Sequence, residues 1–418
     1  MPKTTKILLL AVSVALVLTV FMGVHASGVS AAMEPQEGAY RQVNVYSEVL
    51  RHIQSDYVEE PNINAVTNGA LRGLLESLDA DSSYLSPADY LTYKQAKASG
   101  AGKVQVGLNV SKRFGYATVV SVVAGSPADR ANLNDGDILE AISGKDTRDL
   151  SLAMIQMMLE GAPGSELQVS VVRPRKTVPD KISMTRASVT VPPVSEVQYE
   201  NSTILYLKPV TLDHDHVQMV ETKLKAAQKA GDKKVLLDLR DVAAGDMAEA
   251  TRLANLFLKS GTIATLEGQK VQKVTFTADP AKTLDALAPL VVLVNRGTAG
   301  PGELVAAALL DNKRADLVGE KTFGEGAQQK TFELADGAAL ILSVAKYGSP
   351  SGKKFQDEGV TPGVLVAGNA NDDAAGAEDT GDVAETPTTT TAHAPVKPSI
   401  QVDEQLSKAL EMLKAKAA

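Results

Sequence analysis

Strand-like and helix-like segments alternate along the chain from about residue 198 onward. Apolar runs such as "KVLLDLR" and "PLVVLVN" are each followed by an amphipathic segment with helical spacing, such as "DMAEATRLANLFLKSG" and "PGELVAAALLDNK". This order is typical of α/β layer folds with a largely parallel sheet. Because sites in such sheets lie at the carboxyl ends of the strands, we expect a site where "DLRDVAAGD" and "NRGTAGPGE" follow their strands.

The segments before residue 190 do not show this alternation of strands and helices. The apolar spacing of residues 40–99 predicts an N-terminal helical segment. Residues 102–175 contain short β-like runs and one helix pattern, "SLAMIQMMLEG", which together favour a small β-domain with a helix closing a groove. The α/β core is then predicted over residues 190–366. The whole chain is expected to be a mixed α/β protein.

Both ends of the chain have distinctive compositions. Lys3 and Lys6 precede an uncharged apolar run, residues 7–24, and small residues follow it. This pattern predicts a signal peptide or membrane anchor over residues 1–32, and its cleavage is left open. The protein is therefore expected to be exported, either periplasmic or anchored to the cytoplasmic membrane facing outward. Residues 369–398 have the composition of a disordered acidic Thr/Pro linker, and residues 399–418 have that of a C-terminal helix.

Composition and charge exclude several kinds of site. The chain has no cysteine, so disulfides, thiolate metal sites and a cysteine nucleophile are excluded. Its net charge of −8, without a basic cluster, argues against a nucleic-acid partner. The "DHDH" run at Asp213–His216 stands at a predicted helix start, where aspartate caps are common, so capping is favoured over metal binding. No metal or cofactor is expected.

Longer motifs carry a family resemblance. The stretches "GSPADRANLNDGDILEAISGKD", "VLVNRGTAGPGELVAAALLDNKRADLVGEKTFGEGAQQ" and "LSVAKYGSPSGKKFQDEGVTP" occur in this order. Together they resemble the carboxyl-terminal processing peptidases, also called tail-specific proteases, over most of residues 40–366. The resemblance implies a PDZ domain beside a crotonase-like α/β protease core. It also implies binding of polypeptide C-termini or unfolded protein.

A PDZ domain binds a peptide C-terminus through backbone N–H groups and pairs it as an extra strand. By resemblance, the loop and strand for this task are Gly107, Leu108, Asn109 and Val110. The helix pattern would form the other wall of the groove. Its residues expected to meet peptide side chains are Leu152, Ile155 and Leu159.

The resemblance also implies a serine nucleophile and a lysine base, and both are replaced. Gly300 stands at the serine position and Glu325 at the lysine position, while Gln329 keeps the family's glutamine. Glycine has no side chain to form an acyl-enzyme, and Glu325 is expected to be an anion where a neutral amine is required. After "DLR", only Gly245 remains of the family's glycine pair that helps to hold the oxyanion. Loss of one such donor costs about 3 kcal/mol of transition-state stabilisation.

Two functions follow from these residues. The first is an exported, catalytically inactive relative of these peptidases that binds peptide C-termini and acts as a regulator or scaffold, with an active relative as a candidate partner. The alternative is an active serine-type endopeptidase with a shifted pair, Thr298 and Lys321. That alternative requires the two side chains to come within hydrogen-bond reach of each other.

Overall fold

The computed structural model describes residues 34–99, 104–173, 178–201, 203–231, 234–285, 287–368 and 403–416. The apolar run at 7–24 and the predicted linker at 369–398 lie outside these residues. The chain divides into two units, Met1–Ala70 and Leu71–Ala418. Among the helices described, none has both the length and the apolar character that a membrane crossing needs.

The first unit is helical in its described part. It holds α1 (Glu34–Asp56) and the first half of α2 (Ile63–Glu76). Within α1, His52 Nδ1 lies 2.6 Å from a carboxylate oxygen of Asp56, one turn further on. Helices were predicted here from the apolar spacing, and both are present.

The second unit holds the rest of α2 and all other elements. Its further helices are α3 (Pro87–Ser99), α4 (Pro127–Arg130), α5 (Leu152–Leu159), α6 (His214–Ala230), α7 (Met247–Phe257), α8 (Pro301–Asp311) and α9 (Glu404–Ala415). Its strands are β1 (Ser83–Leu85), β2 (Val104–Gln105), β3 (Leu108–Arg113), β4 (Tyr116–Val122), β5 (Ile138–Ile142), β6 (Lys145–Asp146), β7 (Glu166–Val172), β8 (Asp180–Thr185), β9 (Ala187–Ser188), β10 (Ser195–Tyr199), β11 (Ile204–Lys208), β12 (Lys234–Asp238), β13 (Thr262–Glu267), β14 (Val274–Thr277), β15 (Leu290–Val294), β16 (Asp316–Gly319), β17 (Ala327–Glu333), β18 (Ala339–Gly348) and β19 (Val364–Leu365).

A largely parallel sheet forms the centre of the second unit. Its strand order is β10-β11-β12-β15-β16-β19, and only the edge pair β10–β11 is antiparallel. Alternate residues of the strands face opposite sides, so each strand contributes to two separate cores. On one side Leu237 and Val292 pack with α6, α7 and α8 in the main core. On the other side Leu236 and Leu293 pack with α9.

The C-terminal helix α9 is fastened to this sheet at both of its ends. Its cap residue Asp403 accepts the backbone N–H of Leu406 and two hydrogen bonds from the guanidinium of Arg240, which follows β12. At the other end, Lys234 Nζ donates to the Leu413 carbonyl at 2.8 Å. Leu413 itself is fully buried against the strands. The predicted C-terminal helix is therefore part of the core structure.

A second, antiparallel sheet lies outside the parallel one. The stretches "QQKTFEL" and "AALILSVAKYG" contribute β17 and β18, which pair with each other. β18 also pairs with β13 and with the short strand β1. The short strand β1 interrupts the segment predicted to be helical; Leu85 is fully buried, so tertiary packing decides its conformation.

Residues 104–188 contain a separate β-domain. Its main antiparallel sheet has the order β3-β4-β5-β7-β8, so β3 lies at an edge. Helix α5 contacts β3, and Ser151 caps the helix by accepting the Met154 N–H. Leu139, Ile142 and Leu167 fill its core and are fully buried. A small β-domain with a helix was predicted over residues 102–175; its sheet runs on to Thr185, because β8 pairs with β7.

Candidate active site

The turn that follows β15 is tied to the turn that follows β12. Asn295 Oδ1 accepts the N–H of Asp241 at 3.0 Å, and Asn295 Nδ2 donates to the Asp241 carboxylate at 2.8 Å. Ala299 N–H donates to the Val242 carbonyl at 3.0 Å. These bonds bring the carboxyl ends of two neighbouring parallel strands together. The two segments that the sequence predicted as site-forming therefore meet at one sheet edge.

Gly300 occupies a strained turn at the start of α8. Its backbone has φ +52° and ψ −112°, a conformation that residues with a Cβ rarely adopt. A Cβ placed on Gly300 would find no atom nearer than the Glu325 carbonyl oxygen and Met247 Cε, both at 4.0 Å. Space for a side chain therefore exists at this turn, and the chain supplies none.

The buried carboxylate of Glu303 organises this turn. Oε2 accepts the N–H of Gly300 at 3.0 Å and the N–H of Glu325 at 2.7 Å, and Oε1 accepts the N–H of Gly324 at 2.8 Å. The hydroxyl of Thr322 also donates to Oε1. Glu303 is fully buried, so these bonds replace its hydration. One side chain thus holds the helix start and the facing loop in register.

The facing loop presents Glu325 to the same space. Gly326 N–H donates to Gln356 Oε1 at 2.5 Å, and a Cβ at Gly326 would lie 2.6 Å from the Phe355 ring, which explains the glycine. The half-buried Glu325 side chain makes no hydrogen bond or ion pair with any residue in the described ranges. Its carboxyl is therefore available to a ligand.

Three carboxyl groups near the turn have raised pKa values. Burial raises the pKa of Glu325 to about 8, with further contributions from Asp81 and Glu303, against a lowering influence from Arg113. Burial raises the pKa of Glu303 to about 7, opposed by its hydrogen bonds from Thr322 and the backbone, and burial likewise raises the pKa of Asp81 to about 6. At neutral pH Glu325 is thus mainly protonated. The expected anion is corrected to a neutral acid, because the low-polarity surroundings disfavour the charge.

Gly245 lies opposite this turn, at the end of the β12 loop. Its φ is +129°, and a Cβ would meet the Leu212 backbone at 2.5 Å, so only glycine fits. Its N–H donates to no partner in the part of the chain described. In α/β-hydrolases a second oxyanion donor is the N–H of the residue after the nucleophile. Here that residue is Pro301, which has no N–H.

The shifted pair of Thr298 and Lys321 is not formed. Thr298 is fully buried, and its hydroxyl donates to the Leu239 carbonyl at 2.8 Å. Lys321 is exposed. A buried hydroxyl that is already committed to a carbonyl cannot attack a substrate, so the prediction of this dyad is wrong.

Gln329 also lies away from the turn. Its Nε2 donates to the Asp81 carbonyl at 2.8 Å, and its side chain is exposed. No side-chain hydrogen bond joins it to Glu325 in the described residues. A register shift in the β17–β18 pairing, between Gln328 and Gln329, accompanies this placement.

One cavity of 410 Å³ joins this turn to the groove of the β-domain. From the core it is lined by Gly245, Met247, Gly300, Pro301 and Glu325. From the β-domain and α3 it is lined by Leu108, Asn109, Val110, Met157, Leu159, Glu160, Tyr93 and Lys97, among others. The described lining residues include no serine, threonine, cysteine or histidine. A ligand in the groove therefore has an open path to the Gly300 turn, and it meets no ordinary nucleophile there.

The peptide-binding residues expected in the β-domain are only partly placed as predicted. Leu108, Asn109 and Val110 lie on the edge strand and line the cavity. Gly107 has φ +86°, and a Cβ there would lie 2.2 Å from Ser126 Cβ, so it shapes the loop without lining the cavity. These features fit strand addition at β3.

The prediction for α5 needs correction. Leu159 lines the cavity, but Leu152 and Ile155 lie in the core of the β-domain, with Ile155 fully buried. The cavity-lining side chains on this helix are instead Ala153, Gln156, Met157 and Glu160. The prediction chose residues by their apolar character, and on an amphipathic helix the apolar side chains face the core.

The β-domain touches the Glu325 loop directly. Arg113, the last residue of β3, donates from Nη2 to the Phe323 carbonyl at 2.7 Å and lies with its guanidinium 4.3 Å from the centre of the Phe323 ring. Arg296 donates to the Asp135 carboxylate at 2.8 Å across the same boundary. The groove strand and the loop that carries Glu325 are therefore mechanically connected.

The "DHDH" run behaves as a helix cap. Asp213 Oδ1 accepts the His216 N–H at 2.9 Å and lies 2.7 Å from His216 Nδ1, while His216 Nε2 lies 3.0 Å from the Pro192 carbonyl oxygen. His214 lies 3.1 Å from Glu249 on the surface. These contacts account for the polar atoms of the run as parts of the protein's own structure.

Comparisons with known proteins agree with this architecture. The profile of Peptidase family S41 matches residues 203–366, and that of the PDZ domain matches residues 118–173. A carboxyl-terminal-processing protease of Synechocystis sp. is 31% identical over 320 residues, which are 75% of this chain and 74% of that protein. The chain belongs to the carboxyl-terminal-processing protease family. The β-domain is its PDZ domain, and strand β3 lies just before the matched PDZ segment.

Other members of the carboxyl-terminal-processing protease family also match about three quarters of this chain. Carboxyl-terminal-processing peptidase 2 of Arabidopsis thaliana is 30% identical, over 75% of this chain and 63% of that protein. A solved photosystem II D1 C-terminal processing protease superimposes with a TM-score of 0.65 at 25% identity, covering 77% of this chain and 92% of that one. The fold predicted from the sequence, an α/β protease core with a PDZ domain and N-terminal helices, is confirmed.

Sequence reasoning missed several lining and supporting residues of the family site. Asp81, whose carboxyl raises the pKa of Glu325, comes from the segment before β1. Tyr93 and Lys97 come from α3, and Met247 begins α7. Of these, only Met247 carried a usable signal, because it opens a helix directly after a strand-end loop.

Proposed function

We propose that this chain is an exported, catalytically inactive member of the carboxyl-terminal-processing protease family. In this role it binds polypeptide C-termini through its PDZ groove and acts as a regulator or scaffold, with an active relative as a candidate partner. The observation that carries the proposal is Gly300. This residue stands at the strained helix-start turn beside the cavity, where a nucleophile is needed, and it has no side chain.

The surroundings of Gly300 support inactivity independently. The resemblance places a base at position 325, but a carboxyl whose pKa is about 8 through burial holds its proton at neutral pH. Pro301 lacks the N–H that would join Gly245 in stabilising an oxyanion. The nucleophile, the base and one oxyanion donor are thus all absent from the expected places.

The PDZ groove supports the binding half of the proposal. Strand β3 has a free edge in its sheet, α5 forms the opposite wall, and their side chains line one cavity. An extended peptide can therefore add to β3 by backbone hydrogen bonds and place alternate side chains toward α5. The cavity continues from this groove to Gly300, so the bound chain has room beyond the PDZ domain.

Peptidase activity is the rival function. The relatives in Synechocystis sp. and Bacillus subtilis bear the names of carboxyl-terminal-processing proteases, which favours it. The shifted dyad that it requires is disfavoured, since Thr298 is buried and bonded to a carbonyl while Lys321 is exposed. An active enzyme would need another nucleophile from outside the described lining of the cavity.

Turnover and covalent labelling separate the two functions. We expect the purified chain to leave unstructured C-terminal peptide substrates intact over hours, as read by mass spectrometry. We also expect no labelling by a fluorophosphonate probe. Cleavage that is abolished by Thr298→Ala, or a labelled serine or threonine, would establish the rival.

Binding is tested with matched peptides. A fluorescent peptide with a free C-terminal carboxylate should bind, and its C-terminal amide should bind at least about tenfold more weakly, because the charged terminus is lost. Equal binding of both forms would rule out a PDZ-type interaction. Export is tested by fractionating cells that express the full chain; recovery in the cytoplasm would contradict that part of the proposal.

A further inference from the structure

The end of the cavity near Gly300 has an unusual wall. We call this end the acid chamber and define it by its lining residues Ala243, Ala244, Gly245, Met247, Gly300, Glu325 and Ala327. Five of these seven residues are glycine or alanine, so their small side chains leave open space at this end of the cavity. The ionisable group among them is the carboxyl of Glu325. An open space with a single acid at its end suits a long side chain that ends in a polar group.

Carboxyl groups outnumber cations around Glu325. Behind Glu325 lie the carboxyls of Asp81 and Glu303, which both disfavour its ionisation. The cation that opposes them is Arg113, and its guanidinium already donates to the Phe323 carbonyl. Toward the PDZ groove, Glu160 and Lys97 line the same cavity with opposite charges. The interior of the chamber therefore has carboxyl groups in excess of cations.

We propose that the acid chamber receives a lysine or arginine side chain of the polypeptide that the PDZ groove binds. This inference rests on the proposed function and names the kind of polypeptide that the site selects. The methylene groups of the ligand side chain pack against Met247 and the alanines, and its cationic end meets the unpartnered carboxyl of Glu325. Gly300 makes the entry possible, because its missing Cβ leaves the space open.

Proton release accompanies this binding. Glu325 is mainly protonated in the free protein at neutral pH, since burial raises its pKa to about 8. A ligand cation favours the carboxylate, so the proton passes from Glu325 to solvent as the ion pair forms. Affinity for a basic peptide should therefore rise as pH increases from 6 to 9, and the Glu325→Gln variant should lack this dependence.

The test compares two peptide series on the full chain, purified in mild detergent because of its apolar run at residues 7–24. All peptides are fluorescent, ten residues long and have a free C-terminal carboxylate. Each peptide of the first series contains one lysine, and its position differs from peptide to peptide. The second series has norleucine in place of that lysine. Binding is measured by anisotropy at pH 8. We expect one position at which lysine binds about tenfold more tightly than norleucine. Glu325→Gln should reduce this ratio to within about twofold, whereas the exposed-site control Glu358→Gln should keep it.

The outcomes separate this inference from the function on which it rests. Peptides that bind in an amide-sensitive way with no lysine preference at any position would overturn the inference and leave the proposed function standing. A lysine preference that persists in Glu325→Gln would also overturn it. Failure of every peptide to bind would overturn the proposed function itself, and the inference with it.

Discussion

The Oε2 atom of Glu303 accepts the backbone N–H of Glu325 at a distance of 2.7 Å. The same oxygen accepts the N–H of Gly300 at 3.0 Å, so one atom spans the two segments of the site. The arrangement is independent of the side chains at positions 300 and 325. The turn at Gly300 and the loop at Glu325 can therefore keep their places whichever side chains stand at these two positions.

Replacing Glu303 by glutamine should destabilise the protein. The amide has one acceptor oxygen, and its NH₂ group would face backbone N–H donors that now point at a carboxylate. We expect a loss of about 2–4 kcal/mol in the free energy of unfolding, measured by denaturant titration. Glu358→Gln, at an exposed position, should stay within about 0.5 kcal/mol of the parent. Equal stability of the two variants would show that the Glu303 bonds are dispensable.

Replacing either of two glycines of the site by alanine should lower the stability of the protein, but by different amounts. The Cβ of Gly300→Ala meets no atom closer than 4.0 Å, so its cost is backbone strain of about 1–2 kcal/mol at φ +52°. Gly245→Ala would place its Cβ 2.5 Å from the Leu212 backbone, so we expect a larger loss, or failure to fold. Thermal unfolding of both variants measures the difference. A Gly300→Ala protein less stable than Gly245→Ala would contradict the geometry.

The stability of the protein should depend on the charge of Glu325. The folded pKa of about 8 exceeds the ordinary value of 4.5, so the native state keeps a proton that the unfolded chain releases. The free energy of unfolding therefore falls as pH rises from about 5 to 8. Glu325→Gln should be more stable than the parent by at least about 1 kcal/mol at pH 9 and nearly equal to it at pH 4. A constant difference across this range would argue against the raised pKa.

Restoring the reactive residues should expose the missing oxyanion donor. In the variant Gly300→Ser with Glu325→Lys, Pro301 still provides no N–H. Adding Pro301→Ala returns that donor, so we expect turnover at least about 100-fold higher in the triple variant than in the double variant. Peptide cleavage followed by mass spectrometry gives both rates. Equal rates would mean that Pro301 does not limit the chemistry, and absence of turnover in both would mean that more than these groups has been lost.

Local sequence patterns were sufficient to predict the strands and helices of the core and the position of the site. Strand-then-helix order correctly placed the Asp241 and Asn295 turns at one edge of a parallel sheet. The positions of Gly300 and Glu325 on facing segments followed from motif spacing, and Glu303 unites them. These features follow from the order of the elements and from short motifs.

Other features depend on long-range packing, which the sequence pattern does not express. The protonation of Glu325 depends on Asp81, which is remote in sequence and meets it only in the folded chain. The α5 prediction chose Leu152 and Ile155 because they are apolar, although the core and the cavity compete for the same helix. The shifted dyad was wrong because neighbours in sequence did not reveal that the Thr298 hydroxyl is directed to Leu239.

The docking of α9 also affects how the protein is made. One face of the parallel sheet, with Leu293, is covered by Leu413, and the two residues are 120 positions apart in the chain. At a synthesis rate of about 5–20 residues per second, Leu413 is synthesised roughly 6–24 seconds after Leu293. During this interval an apolar strand surface is open to other nascent chains. The C-terminal helix thus protects the protein against aggregation only late in synthesis. A chain that ends before residue 403 would leave this apolar face of the sheet exposed.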